Sequence, residues 1–391
     1  MQKTFVDIPE AMSISGDRIL VRRCFEEFHK AGGRSKAQRV AETNLKTNSP
    51  AGIMNRKIKA RMKRIIFNWT EAIKCSKSND QGYKLYTPTF VTLTLPSMQR
   101  HSDKEINRNA LIPFIATLKR KYFVEHYVWR AEKQKNGNIH YHVIIDKFVG
   151  WQNIRREWNT QMDGLGYIEE YRRNQKKFHS EGYKCNEQDL LHRSQEKQKK
   201  AYEDGIKNNW SNPNSTDIHA LKEIQNVAKY CTKYLTKSPE EEELKLLDIQ
   251  LSKNIIAVEE YDRRKKDLDK KIDKSKINAR LWGCSDDLRT VIDYKTIIDQ
   301  NTNNFIEEAI QMPTNKIIKD EHYTIIYCKD IHAILANHRA VATDLQAHFQ
   351  DTYYKLYPTQ KPPNKSIKNM VERWEPLHIQ IEDGQMIFEG F

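Results

Sequence analysis

The sequence NIHYHVII spans residues 138–145 and places His140 and His142 on either side of a single tyrosine. Apolar residues flank this pair, which is typical of a β-strand packed in a sheet. Because alternate side chains of a strand project to the same face, both imidazoles would point the same way and could bind one cation. Two histidines at this spacing are also commonly surface or hydrogen-bonded residues, so the interpretation depends on their neighbours.

A second strand is predicted directly upstream, because residues 127–132 (YVWRAE) alternate and the KNG of residues 135–137 is turn chemistry. The two strands would form a β-hairpin whose register depends on its loop. A two-residue Asn-Gly turn would set Glu132 opposite Tyr141, on the other face of the sheet. A three-residue loop with its glycine left-handed would set Glu132 opposite His140, and we predict this bulged form.

In that register, Glu132, His140 and His142 would form a metal site with open coordination positions. Two imidazole nitrogens and a carboxylate suit a hard or borderline divalent ion, so we expect Mg²⁺ or Mn²⁺. Zn²⁺ stays open, since ligand type alone rarely fixes the metal. Taken alone, a glutamate at this position is more often a solvated charge on a hairpin.

A helix is predicted over residues 224–237, where apolar residues recur at helical spacing. Tyr230 and Tyr234 lie one turn apart, and each has a lysine three residues later, Lys233 and Lys237. A cation close to a phenol favours the phenolate, which turns a weak nucleophile into a useful one. Two tyrosines at this spacing are otherwise commonly half-buried parts of a helix core.

Residues 88–96 (PTFVTLTLP) alternate apolar side chains with Thr92 and Thr94, which predicts a sheet strand with its threonines on one face. In chain order, this strand, the His140–His142 pair and the YCTKYLTK of residues 230–237 resemble the motif set of the HUH endonucleases, named for histidine, hydrophobic residue, histidine. The sequence is most similar to their two-tyrosine branch, the rolling-circle replication initiators of small single-stranded DNA phages and related replicons.

The resemblance implies a metal-dependent, site-specific endonuclease and strand transferase. An ion at the predicted metal site would polarise the scissile phosphate while a tyrosine hydroxyl attacks the phosphorus. The implied products are a 5′-phosphotyrosine link and a free 3′ hydroxyl that primes synthesis. Tyr230 is expected to act first, because it lies on the more polar flank of the helix, and Tyr234 would cleave the regenerated origin. Lys233 and Lys237 would assist by charge.

The resemblance also implies partners, namely single-stranded or supercoiled replicon DNA at an origin together with a host helicase and polymerase. The chain has no Gly-Lys-Ser or Gly-Lys-Thr motif of an ATP-driven helicase, which agrees with phage or plasmid initiators. Two alternatives remain. The first has the same chemistry, in a two-tyrosine transposase or a mobilisation relaxase. The second is of another class, a basic nucleic-acid-binding protein without catalysis whose histidines are structural.

The composition bounds these interpretations. A formal net charge of +14 over 391 residues favours a polyanionic partner, since neutralised phosphates release counterions. No apolar run approaches the about 20 residues needed to span a membrane, and the first residues lack the apolar core of a signal peptide. The six cysteines include no close pair of the type that binds zinc. We therefore expect reduced thiols and a cytoplasmic protein, and the resemblance implies that this is the cytoplasm of a bacterial host.

The expected fold class is α+β, with a central antiparallel sheet that carries the metal ligands and the tyrosine helix packed against it. Residues 83–240 would form the endonuclease core, with a basic insertion at about 172–213 that is either solvated surface or a DNA-contacting loop. Residues 1–82 would be a basic, mainly helical extension. Residues 241–391 would be a charged helical and α+β region.

Contact with nucleic acid is predicted along a basic amphipathic helix near residues 56–73 and at the tyrosine helix. The apolar stripe of the first helix would dock on the core while its basic side lies along phosphates, although such a helix also serves as ordinary cover for a sheet. The residues expected to contact nucleic acid are Arg56, Lys57, Lys59, Arg61, Lys63, Arg64 and Lys229.

Further elements follow from local periodicity and turn residues. Helices are predicted near residues 151–162, 239–276 and 333–354, and strands near 167–168, 215–221, 322–327, 377–381 and 386–388.

Overall fold

The computed structural model describes residues 10–15, 18–22, 52, 54, 56–75, 86–187, 190, 193–220, 239–253, 255–320, 323–360, 379–382 and 385–388. The strands are β1 (Ala11–Ser15), β2 (Arg18–Arg22), β3 (Thr89–Leu93), β4 (Tyr127–Lys133), β5 (Ile139–Ile145), β6 (Thr216–Ala220), β7 (Trp282–Cys284), β8 (Tyr294–Ile297), β9 (Lys316–Lys319), β10 (Tyr323–Tyr327), β11 (Ile379–Glu382) and β12 (Gln385–Phe388).

The α-helices are α1 (Arg56–Lys74), α2 (Asp103–Ile106), α3 (Ile112–Tyr122), α4 (Trp151–Gly164), α5 (Tyr167–Phe178), α6 (Gln195–Lys207), α7 (Pro239–Ser252), α8 (Val258–Ser275), α9 (Gln300–Gln311), α10 (Ile331–Leu335) and α11 (Arg339–Leu356). A π-helical turn, Asn107–Leu111, joins α2 to α3. None of the helices in these described ranges is long and apolar enough to cross a membrane.

Five strands form the central sheet in the order β6-β3-β5-β4-β7, and every neighbouring pair is antiparallel. β4 and β5 are the predicted hairpin, and β3 and β6 correspond to the strands predicted near residues 88–96 and 215–221. This confirms the α+β class with an antiparallel sheet. The edge strand β7 comes from beyond residue 241, where the core was expected to end.

Helices cover one face of the central sheet. Val91, Tyr141 and Val143 alternate toward this face and are fully buried, as period-two strands require. They pack against Phe114 of α3 and Trp158 of α4. The indole of Trp158 also donates a hydrogen bond of 2.8 Å to the backbone carbonyl of Thr94, which ties α4 to the end of β3.

The other face of the sheet is covered by helices at one end. There Phe90, Val128 and Ile144 pack against the apolar stripe of α1, which includes the fully buried Trp69. The end of α11 also contributes to this cluster through Leu356. Side chains two residues apart in a strand share a face. The next alternate positions along β3, β4 and β5 therefore lie on this same face, at the end that the helices do not cover.

The predicted short strand around Tyr167 is wrong. Residues Tyr167 and Ile168 begin α5 and are buried against the helix-covered face of the central sheet. Two apolar residues alone carry no periodicity, and the acidic pair Glu169 and Glu170 in the first turn favours a helix start. The adjacent helix α4 agrees with its prediction.

A second antiparallel sheet has the order β8-β1-β2-β10-β9, so the N-terminal region that was expected to be mainly helical contributes two strands as well as the helix α1. In β1 and β2 buried and half-buried residues alternate strictly, with Met12, Ile14, Ile19 and Val21 buried. This period-two pattern is a strand signal that the sequence analysis overlooked. The inner side chains pack with Phe305 of α9.

The remaining C-terminal elements agree with their predictions. α7 and α8 are largely exposed and carry surface ion pairs, such as Arg264–Glu260 at 2.6 Å and Lys271–Glu243 at 3.6 Å. β10, α10 and α11 occupy the predicted strand and helical ranges, and β11 pairs with β12 as the closing hairpin.

Candidate metal centre

The loop between β4 and β5 fixes the register of the hairpin. Gln134 donates its backbone N–H to the carbonyl of Asn138 at 2.8 Å, and Gly137 donates to the carbonyl of Gln134 at 2.9 Å. Gly137 is left-handed, with φ of 86°. The loop is therefore the predicted three-residue form, and it sets Glu132 opposite His140.

Glu132, His140 and His142 converge on one point of the open end of the sheet face. The Oε2 atom of Glu132 lies 3.6 Å from Nε2 of His140 and 3.3 Å from Nε2 of His142. One ligand atom from each residue lies within 4.8 Å of the others, and the two imidazole centroids are 4.7 Å apart. We call these three residues the candidate metal centre.

These distances fit a shared divalent ion. Nitrogen and oxygen ligands lie about 2.0–2.2 Å from such ions, so two ligands at angles of about 90–110° are about 2.8–3.6 Å apart. The side chains are 28%, 16% and 12% exposed for Glu132, His140 and His142. The centre is thus walled by protein but still reachable from solvent, unlike a fully closed site.

The neighbouring strand orients one of the imidazoles. Thr92 pairs with His142 in the sheet, and its Oγ1 lies 3.1 Å from Nδ1 of His142. When Nδ1 carries the ring proton, it donates to this hydroxyl and leaves the lone pair of Nε2 for a metal ion. The ring of Phe90, with its centroid 5.3 Å away, packs beside the same imidazole.

The second imidazole lacks such a partner. Both ring nitrogens of His140 are buried, and neither has a hydrogen-bond partner among the described residues. Buried polar atoms almost always bond to protein, to an ordered water or to an ion. A divalent ion beside Nε2 is one such partner, so the donor set fits a metal.

The electrostatics of the centre keep two of its groups in their metal-binding forms. Burial raises the pKa of Glu132, but contacts with His140 and His142 and the charge of Arg130 outweigh it and hold that pKa well below its usual range. Burial also lowers the pKa of His142, against the opposing pull of Glu132. A carboxylate and a neutral imidazole are therefore favoured at neutral pH, which is what metal binding needs.

Two charged residues missed by the sequence analysis lie in the same row of the sheet. Arg130 on β4 pairs with His142 and is only 8% exposed, whereas Asp217 on β6 pairs with Thr92 and is exposed. Arg130 precedes Glu132 by two residues in the same strand, so the sequence already indicated that the two side chains share a face of the sheet. The position of Asp217 depends on the pairing of β6 with β3, which is not local.

The predicted tyrosine helix lies outside the described residues. This applies to the predicted nucleophiles and their lysines, and therefore also to the expected approach of a tyrosine hydroxyl to the metal centre. The residues concerned are Tyr230, Tyr234, Lys233, Lys237 and Lys229.

The predicted basic helix is present as α1, and its apolar stripe packs on the sheet as expected. Of its basic side chains, Lys57, Arg61 and Lys63 are exposed, and Lys59 and Arg64 are partly buried. The backbone of Arg56 begins the helix.

Comparison with known proteins bears on the same region. Residues 88–239 match the family model of the replication-associated protein ORF2. No curated protein and no solved structure matches the chain. The matched range begins just before β3 and includes Thr92 and all three residues of the candidate metal centre. The match supports a replication initiator family and a role in DNA replication.

Proposed function

We propose that this chain is a rolling-circle replication initiator, a metal-dependent endonuclease that nicks one DNA strand at an origin and transfers it to a tyrosine. One observation carries the proposal: Glu132, His140 and His142 meet at an open site inside the range that matches a replication-associated family. The resemblance of the sequence to two-tyrosine HUH endonucleases supplies the chemistry.

The described residues would prepare the site for the reaction. Glu132, His140 and His142 would hold the ion, with Mg²⁺ or Mn²⁺ expected from the mixed donor set. The hydroxyl of Thr92 would keep Nε2 of His142 directed at the centre. A bound divalent ion would supply Lewis-acid polarisation of the scissile phosphate.

The nucleophile would be a tyrosine, with Tyr230 acting first and Tyr234 in the next round. The phenolic oxygen of Tyr230 would bond to phosphorus as the bond from phosphorus to the 3′ oxygen breaks, and the phenolic proton would pass to that 3′ oxygen. One phosphodiester is exchanged for another, so resealing needs no ATP. The charges of Lys233 and Lys237 would favour the phenolate.

The substrate would be single-stranded or supercoiled replicon DNA at an origin. A host polymerase would extend the released 3′ hydroxyl, and a host helicase would separate the strands. These partners place the protein in the cytoplasm of a bacterial host, as part of the same proposal.

The direct test uses the full-length chain, Mn²⁺ and a library of single-stranded oligonucleotides labelled at either end. A 3′ label is expected to migrate with the denatured protein, because the nick leaves the 5′ phosphate of the downstream fragment on tyrosine. A 5′ label is expected in a shorter, free fragment that ends in a 3′ hydroxyl.

Substitution identifies the nucleophiles. The double variant Tyr230→Phe, Tyr234→Phe is expected to form no adduct, and each single variant to retain part of the activity. The control is Tyr261→Phe on α8, which removes a hydroxyl bonded to Asp248 at 2.9 Å and is expected to leave the yield unchanged. A wild-type protein that binds DNA without cleaving it would favour the non-catalytic alternative.

A further inference from the structure

A groove lined by arginine and apolar side chains lies on the same face of the central sheet as the candidate metal centre. Its volume is about 340 Å³. The lining residues, which we call the arginine groove, are Ile58, Arg61, Arg280, Leu281, Trp282 and Arg289.

The sheet connects this groove directly to the metal centre. Trp282 on β7 pairs with Arg130 on β4, and Arg130 pairs with His142 on β5. Residues paired across antiparallel strands project to the same face, and neighbouring strands are about 4.8 Å apart. The backbone of Trp282 is therefore about 10 Å from that of His142, with one buried arginine in the row between them.

The charge of the groove is positive and largely uncompensated. Arg61 and Arg280 are exposed, and neither forms an ion pair within the described part of the chain. Arg289 has an exposed ion pair with Asp286 at 3.3 Å. No carboxylate lines the groove itself.

The three guanidinium groups converge from separate elements, namely α1, the segment before β7 and the turn after it. All three lie close enough to the buried thiol of Cys284 to affect its pKa. Burial raises that pKa, and the charges of Arg289, Arg61 and Arg280 oppose the rise. Arg280 is also held in place, because its Nε donates a hydrogen bond of 2.9 Å to the carbonyl of Trp282. A preorganised arginine loses less freedom when it binds a phosphate.

This combination suits a single nucleic-acid strand. Guanidinium groups bind phosphate oxygens with paired hydrogen bonds, and a partly exposed indole offers a face on which a base can stack. The volume lies in the lower part of the about 300–1,000 Å³ range of small-molecule pockets, which is room for about one nucleotide. A base can enter such a groove from a single strand without the cost of leaving a duplex.

We propose that the arginine groove binds single-stranded DNA beside the candidate metal centre, with one base against Trp282 and the flanking phosphates on Arg61, Arg280 and Arg289. The inference rests on the proposed function, because it takes the strand that is cut at the centre as the occupant. The groove would hold that strand in a fixed position next to the scissile phosphate.

The test is fluorescence anisotropy with a labelled single-stranded DNA of about 16 nucleotides, titrated with the full chain in EDTA over a range of salt. The double variant Arg61→Gln, Arg280→Gln is expected to lower the slope of log affinity against log salt by about 1.4, or about 0.7 per lost contact. The same slope gives a loss of about 60-fold in affinity near 50 mM salt that vanishes toward 1 M.

Two further variants sharpen the result. Lys119→Gln removes an exposed charge from α3, which packs on the other face of the central sheet, and it is expected to change the affinity less than about threefold. Trp282→Leu is expected to lose about fivefold or more in affinity with no change in the salt slope, because stacking releases no counterions.

The outcomes separate this inference from the proposed function. If the wild type binds DNA and forms the tyrosine adduct while the arginine variant keeps its affinity and slope, the groove is not the binding site and the proposed function stands. If the arginine variant loses affinity but the wild type forms no adduct, the groove stands and the nuclease proposal fails. Tighter binding of an RNA of the same sequence, or no binding of DNA by the wild type, would overturn the groove proposal.

Discussion

Replacing Thr92 by valine tests whether the strand beside the candidate metal centre prepares His142 for metal binding. The substitution keeps the shape and the β-propensity of the side chain but removes the hydroxyl that lies 3.1 Å from Nδ1 of His142. Without this partner, the imidazole is free to place its proton on either nitrogen. Nε2 then presents its lone pair to the centre for only part of the time.

The expected size of the effect follows from that one contact. A neutral hydrogen bond is worth about 1 kcal/mol net, which is about fivefold in a binding constant. Hydrogen-bond partners of metal-bound histidines typically change metal affinity about 10–100-fold, because orientation is lost as well. We expect Thr92→Val to weaken Mn²⁺ binding about tenfold, or about 1.4 kcal/mol.

The assay is calorimetric titration of the full chain with Mn²⁺, and Thr94→Val provides the matched control. Thr94 follows in the same segment and donates its hydroxyl to the carbonyl of Ser215 at 3.0 Å rather than to an imidazole of the centre. Both variants lose one hydrogen bond, so they should lose similar unfolding free energy. Equal Mn²⁺ affinities in Thr92→Val and Thr94→Val would refute the orienting role of Thr92.

Three further predictions concern Glu132 and the residues that support the hairpin carrying it. Glu132→Gln is expected to weaken Mn²⁺ binding by at least about 100-fold, because the ion loses its only charged ligand from the candidate centre; an unchanged titration would show that the ion binds elsewhere. Gly137→Ala is expected to destabilise the fold by about 1 kcal/mol in urea denaturation, because residue 137 has φ of 86°, whereas Gly150→Ala, with φ of −56° and open space around it, should stay within about 0.5 kcal/mol. Burial raises the pKa of Asp103, but hydrogen bonds from Lys133 (2.6 Å) and other donors outweigh burial and lower that pKa. The contribution of the Asp103 carboxylate to folding stability is therefore present above the ordinary pKa and is lost as pH falls through the lowered value. Asp103→Asn should therefore cost about 3 kcal/mol at pH 7 and clearly less near pH 3, and a pH-independent difference between the two proteins would contradict this assignment.

The metal hairpin was predictable from the sequence because every interaction that sets its register is local. The turn chemistry of residues 135–137 and the alternation on either side of it were enough to place Glu132 opposite His140. α1 was equally predictable, since its buried stripe is periodic and its basic residues lie on the remaining surface. Local patterns of this kind carry most of the information that a single sequence offers.

Non-local pairing explains what the sequence could not provide. β7 is only three residues long, and its place beside β4 depends on contacts between residues more than 150 positions apart. The arginine groove therefore could not be assembled from the sequence, although its arginines were visible in it. The position of Asp217 in the row of the metal centre also depends on a non-local contact, the pairing of β6 with β3.

Two elements were predicted wrongly or missed although their own residues are adjacent in the sequence, and the cause was different. The strand predicted at Tyr167 rested on two apolar residues, too few to distinguish a period of two from a period of 3.6. The N-terminal hairpin did show the alternation of a strand, but its other partners, β8 and β10, lie about 300 residues away in the sequence. Each of its two strands is only five residues long, so the period-two pattern has few repeats by which it could be recognised.

In the proposed mechanism, a metal ion held by an imidazole pair and a tyrosine act together on one DNA strand. Mass spectrometry of the full chain after incubation with Mn²⁺ and single-stranded origin DNA, followed by nuclease and protease digestion, tests this most directly. We expect a nucleotide remnant on the peptide that contains Tyr230 and Tyr234, and we expect it to disappear with EDTA or in His142→Ala. A remnant on another peptide, or one that persists in His142→Ala with EDTA, would contradict this mechanism.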